Sequence, residues 1–280
     1  MKRQKLLLLP GLLWLVLFLI VPLLFVVWTS FLSRDVYGST VNVWTLDNYR
    51  RFFEPLYLSI FWDTIVLSAA TTLLCLAIGY PLAYAVTMMK PRWQKVLLIL
   101  IMVPFWINFL IRSYAWILLL RNQGIVNTAL QALGWIDRPL SMLYTTGAVL
   151  LGMVYTLLPF MVLPIYVSLE KMDRKLHEAA ADLGATPLKS FWHITVPQTL
   201  SGVIAGCLVV FVSTMCLYVV PDVMGGAKSA MYGNVIQNQF LAARDWPFGS
   251  ALSVIFIVFS LAFIAVYQRA TRRNARRDGA

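Results

Sequence analysis

Long apolar stretches alternate with short polar ones along this chain, and the apolar stretches have the length of membrane helices. They run over residues 6–31, 61–88, 96–120, 144–169, 200–220 and 249–267. Each is close to or above the ~20 residues that carry an α-helix across the ~30 Å hydrocarbon core. The pattern predicts six transmembrane helices. A secretory signal peptide also starts with a basic cluster such as Lys2, Arg3 and Lys5. Here the apolar run exceeds that of a signal peptide, and no small-x-small cleavage site follows it at 28–32, so it reads as the first span. Pro10 falls at its entry and Pro22 inside it, where neighbouring helices satisfy the freed carbonyl. Pro159 and Pro164 break the fourth span in this reading, and Pro197 starts the fifth.

The polar segments differ in length. Residues 33–59 carry Arg34, Asp35, Asp47, Arg50, Arg51 and Glu54 and are too long for a turn. Lys90, Arg92 and Lys95 sit in the short link between the second and third spans. In 121–143, Ile125, Val126, Ala129, Leu130 and Leu133 fall at helical spacing before Gly134, which predicts a short interfacial helix. Another helix is expected at about 232–243, and the tail is basic, with Arg269, Arg272, Arg273, Arg276 and Arg277.

Composition agrees with the pattern. Of 280 residues 60% are hydrophobic and 12% charged, where soluble proteins carry about a quarter charged. In a soluble protein the net charge of +11 would suggest nucleic acid. In a membrane protein the placement of the cations decides instead. Of 23 Lys and Arg, fifteen fall in the segments on the side of the termini, seven on the opposite side, and Arg112 inside a span. The positive-inside rule therefore puts both termini in the cytoplasm, with lipid around the spans and no nucleic-acid partner. Cys75, Cys207 and Cys216 lie in apolar runs without paired spacing and read as small packing residues. With no internal repeat and no soluble stretch, 1–280 reads as a single transmembrane domain.

One polar island, 170–197, has its own helical pattern. Leu176, Ala179, Ala180 and Leu183 share a helical face, Asp173 can cap the start, and Gly184 stands where a left-handed cap is wanted. Thr186-Pro187 then opens a second short helix with Leu188, Phe191 and Trp192. Two stubby helices at an angle make a knob. Glu178-Ala179-Ala180, Gly184, Ile194 and Pro197 resemble the cytoplasmic coupling loop of ABC importer permease subunits, with Val196 where that family usually has Leu. The resemblance implies an all-α, six-helix, type I (MetI-like) importer permease. Its loop docks into a cleft on a separate ATPase through Glu178, Ala179, Ala180, Leu183, Gly184, Ile194 and Pro197.

No energy source is encoded here. Gly225-Gly226-Ala227-Lys228-Ser229 looks like the end of a phosphate-binding loop but lacks the Gly before Lys. His177-Glu178 is not a zinc-protease motif, because Ala181 stands where the second His is needed. His177 and His193 read as members of a solvated face, and no nucleophilic triad is present. Hydrolysis must happen on another chain. This one is expected to hold no metal or cofactor, and ATP and Mg belong to the partner ATPase.

The run 104–116, Pro-Phe-Trp-Ile-Asn-Phe-Leu-Ile-Arg-Ser-Tyr-Ala-Trp, and the runs 222–226 and 245–249 look like the spermidine/putrescine permeases, a resemblance over nearly the whole chain. It implies a homologous second permease subunit, an ATPase dimer, a periplasmic substrate-binding protein and a polyamine substrate. A polycation wants carboxylates and aromatic faces. Asp222 at the outer end of the fifth span, with Trp106, Tyr114, Trp116 and Tyr218, is the candidate pathway. Arg112 would repel a polyamine. It reads as structural, about 24 Å along the third span, snorkelling outward and paired with a carboxylate. Outward segments hold seven cations and seven anions, so charge alone does not select a cationic substrate and another small solute stays open. A secondary transporter would need ionisable groups for ion coupling, and a membrane enzyme would need convergent catalytic groups. The spans offer little of either.

Overall fold

The structure is a computed structural model and describes residues 10–277 apart from 12, 36–37, 174 and 227–229. Lys2, Arg3, Lys5, Arg174 and Lys228 of the charge count, and the end of the loop at 225–229, lie outside the described residues.

In chain order the elements are α1 (Leu13–Ser30), β1 (Leu32–Arg34), β2 (Thr40–Trp44), α2 (Asp47–Phe52), α3 (Pro55–Thr87), α4 (Pro91–Trp106) and α5 (Phe109–Leu120). There follow α6 (Ile125–Ala132), α7 (Thr146–Glu170), α8 (Lys175–Asp182), α9 (Pro187–Cys216), α10 (Tyr232–Leu241) and α11 (Trp246–Arg277). By length and hydropathy α1, α3, α7, α9 and α11 can each cross a membrane, and α4 with α5 makes a sixth span bent by 93°. Each keeps large apolar side chains exposed, among them Leu17, Leu73, Leu151, Val209 and Val258, as lipid contact requires.

The contacts form two compact units, Met1–Phe61 with Gly233–Ala280, and Trp62–Tyr232. In the first, α11 packs on α1 and α2. The segment 33–59, expected only to be polar, contains an antiparallel hairpin pairing Leu32 with Trp44 and Arg34 with Thr40. Its β-branched Thr40, Val41 and Val43 suit a strand. Asn48 fastens α2 to the end of α1 by donating from Nδ2 to the carbonyls of Ser30 (3.0 Å) and Leu32 (2.8 Å). Asp245, buried, accepts from Arg51 at 2.8 Å, lies 3.6 Å from Arg34, and caps α11 by accepting from the Phe248 N–H. The Arg51 guanidinium stacks 4.1 Å above the Phe248 ring. Burial opposes the charge on Arg51, but its interactions with Asp245 and Tyr57 together outweigh that and raise its pKa.

The second unit is built on α7, the most buried of the spans: 61% of its apolar window is covered by neighbours. Leu157, Met161, Val162 and Ile165 meet Cys75, Ala83 and Val86 of α3 and Val210 of α9. Gly202 and Gly206 let α9 approach closely, for a Cβ at Gly202 would strike Ser168 and the Pro164 carbonyl, and one at Gly206 would strike Met161.

Four expectations about the spans need correction. Pro159 and Pro164 do not break α7, which is one 25-residue helix, because packing on both sides outweighs the two missing donors. The third span is not one helix: it ends at Trp106 and restarts at Phe109, where the Asn108 side chain accepts the Leu110 N–H at 2.9 Å as an N-cap. The fifth begins at Pro187, ten residues before Pro197, and ends at Cys216 rather than 220. It absorbs the missing N–H of Pro197 in a wider π turn at Phe191–Thr195. Cys75 and Cys207 pack as expected, whereas Cys216 is exposed.

Candidate coupling loop and pathway residues

The knob forms largely as its residues dictate. Asp173 Oδ1 accepts the Lys175 N–H at 3.0 Å and opens α8. Gly184 closes it at φ +77°, with its N–H bonded to the Ala181 carbonyl and that of Ala185 to the Ala180 carbonyl. Thr186 Oγ1 accepts the Lys189 N–H at 3.4 Å over Pro187. The second stubby helix is in fact the first turns of α9, so the knob is α8 folded back on the base of a membrane span.

That geometry divides the knob's side chains into two sets. Glu178, Ala179, Gly184 and Pro197 are exposed, Ala180 and Ile194 half-buried, and Leu183 is 89% exposed. Leu176, Leu188 and Trp192 add to the uncovered apolar surface. Phe191 turns inward instead, edge-on to Tyr80 and Tyr84 of α3 at 5.8 and 5.3 Å.

His177 departs from its expected place on a solvated face. Half-buried, its Nδ1 lies 2.6 Å from Ser190 Oγ and its Nε2 3.3 Å from Thr195 Oγ1. Its partners lie 13 and 18 positions downstream, a distance at which helical periodicity carries no signal. His193 is exposed, and its Nδ1–H donates to the Lys189 carbonyl at 3.0 Å.

The pathway residues are less gathered. Trp106, 77% exposed, ends α4, and Tyr114 is exposed on α5, across the elbow. Tyr218 lies in the non-helical 217–218 link after α9. Asp222 is exposed on the short π turn Pro221–Gly225, which packs on α5. Tyr114 and Asp222 therefore stand on neighbouring elements, while Trp106 belongs to the other arm. Trp116 is partly buried and edge-on to Tyr155 at 5.4 Å.

Arg112 does not snorkel, and it meets no carboxylate among the described residues. It is 8% exposed, donates from Nη1 to the Pro104 carbonyl at 2.8 Å, and its guanidinium lies 5.4 Å from the Phe109 ring and 5.8 Å from Tyr155. Asp63, one of the seven outward anions of the sequence, is exposed on α3 and lines a cavity of about 360 Å³ with Leu67, Thr146, Leu150 and Met231. An ionisable group in a span was the signal for it.

Bent and continuous apolar spans, an exposed knob on the base of one of them, and polar side chains along their ends define a multi-pass transport subunit. Residues 75–277 match the family of binding-protein-dependent transport system inner membrane components, and the chain belongs to it. It is 46% identical over 259 residues to the spermidine/putrescine transport system permease protein PotB of Escherichia coli, covering 92% of this chain and 94% of that protein. To the PotB of Haemophilus influenzae it is 43% identical, covering 92% and 91%. The fold matches that of a bacterial ABC transporter involved in import of the acidic polysaccharide alginate, with a TM-score of 0.76, 19% identity and coverage of 97% and 96%. It is also similar to the MetNI methionine ABC transporter, with a TM-score of 0.52, 14% identity and coverage of 80% and 99%. At these identities the structures speak for the fold alone.

Proposed function

We propose that the chain is the membrane-spanning subunit of an ATP-driven importer of putrescine and spermidine. The 43–46% identity to PotB proteins over 92% of the chain carries this reading. The whole chain, 1–280, acts as one permease domain in the inner membrane with both termini in the cytoplasm. It pairs with a homologous permease, and a periplasmic protein delivers the substrate. A separate ATPase dimer binds ATP and Mg and takes up the exposed face of α8, with Glu178, Ala179, Ala180, Leu183, Gly184, Ile194 and Pro197 at the contact. Closure of that dimer moves α8, and the rigid spans carry the motion outward.

The outer residues suit a polycation. Asp245 is already neutralised by Arg51 and Arg34, whereas Asp222 beyond the outer end of α9 and Asp63 on α3 are exposed carboxylates that can meet ammonium groups. Trp106, Tyr114 and Tyr218 offer open aromatic faces, each worth about 0.5–2 kcal/mol to a cation. Arg112, its charge turned to a backbone carbonyl, is withdrawn from the path.

The test is energy-dependent accumulation of labelled putrescine and spermidine in cells lacking this gene and other polyamine systems, with and without the gene restored. Recovery on restoration is expected. Equal uptake in both strains would overturn the substrate and leave the family standing.

A further inference from the structure

α8 has no buried residue. Among the described residues, His177 is the one side chain of α8 hydrogen-bonded to another element. Both of its partners are on the base of α9 and buried: Ser190 in the first turn and Thr195 at the end of the π turn. The chain of bonds continues. Thr199 Oγ1 donates to the Thr195 carbonyl at 2.8 Å and meets Tyr80 OH on α3 at 2.9 Å. A hydroxyl donates or accepts as required, so either imidazole tautomer satisfies both Ser190 and Thr195.

We propose that His177 is the positioning residue of coupling. It makes α8 rigid with the base of α9 and, through Thr195, Thr199 and Tyr80, with α3, so that displacement of α8 by the ATPase reaches two spans together. Without it, α8 is tied to α9 by the 183–186 link, and a push on its exposed face is spent on rotation about Gly184, whose φ of +77° marks the turn. The exposed face of the knob makes the contact, whereas His177, on the covered face, transmits it. This rests on the importer reading above.

The experiment uses the full complex, permeases with ATPase and loaded binding protein, in proteoliposomes, and reads polyamine transported per ATP hydrolysed. In His177→Leu this ratio should fall by about fivefold or more, the scale of one lost hydrogen bond, while basal hydrolysis and co-purification of the ATPase persist. His177→Gln, which keeps a polar group toward Ser190, should recover much of the loss. Thr195→Val should resemble His177→Leu, and the double variant should be no worse than either. An unchanged ratio in His177→Leu overturns the proposal. So does a loss that His177→Gln does not relieve and that adds to that of Thr195→Val, since it would mark a merely misfolded loop. Should His177→Leu fail to assemble, Thr195→Val, buried beneath the docking face, decides alone. A wild-type complex whose ATPase is stimulated but moves no polyamine refutes the substrate. The proposal is then judged by whether His177→Leu abolishes that stimulation.

Discussion

Arg112 donates through Nη1 to the carbonyl of Pro104 at 2.8 Å and so clasps the two arms of the bent span. The last carbonyls of α4 have no partner within the helix, and a cation is favoured at that end of its dipole. An arginine within an apolar run is thereby explained without a carboxylate: it caps one helix from the next. Arg112→Leu should cost about 2 kcal/mol, the worth of a hydrogen bond from a charged donor. The check is thermal unfolding of the detergent-solubilised complex, where equal melting of variant and wild type would dispose of the clasp.

Asp245 stands in a similar relation to its arginines. It is buried, whereas about 40% of the Arg51 side chain is exposed, so the two ends of the pair are not equivalent. Asp245→Asn strands two cations and weakens a helix cap, and should cost about 3 kcal/mol. Arg34→Ala, which gives up the longer contact and a water-accessible bond to the Ala243 carbonyl, should cost about 1 kcal/mol or less. Denaturation that ranks the two variants the other way would show that Asp245 is not the hub.

Gly184 has room for a side chain, since a Cβ there meets nothing within 4 Å, but its φ of +77° does not suit one. Gly184→Asn should retain uptake, because Asn enters the left-handed region readily. Gly184→Val should impose about 1–2 kcal/mol of backbone strain and tilt α8. Uptake in cells and recovery of the ATPase with the permease would show it, with transport falling more than assembly. Full transport by Gly184→Val would remove the turn from the coupling path.

What could be read from the chain was local. Asp173, Gly184 and Thr186 act on backbone groups within three or four positions, so their roles are visible in a one-dimensional pattern. The apolar runs are equally direct, since bilayer thickness sets their length. The elbow at Ile107-Asn108 was hidden because the run on its two sides is together long and apolar enough for one span. The prolines of α7 misled because the packing that keeps the helix continuous comes from α3 and α9. His177 was misplaced, and the pairing of Asp245 missed, for a related reason: their partners are 13 to 211 positions away (Arg34 to Asp245).

Gly202 offers the sharpest test of the α7–α9 contact. A Cβ placed there would lie 2.5 Å from the Pro164 carbonyl and strike Ser168, and a backbone carbonyl inside a packed pair of helices cannot swing aside as a side chain can. Gly202→Ala should therefore cost about 1–3 kcal/mol by overpacking, although alanine is the better helix former. Ser168→Gly in the same chain removes one of the two obstacles and should recover part of the loss, leaving the share owed to the carbonyl. Thermal melts of the single and double variants measure both parts. If Gly202→Ala is instead stabilising, helix propensity outweighs packing at this position, and α7 and α9 lie farther apart than 2.5 Å implies.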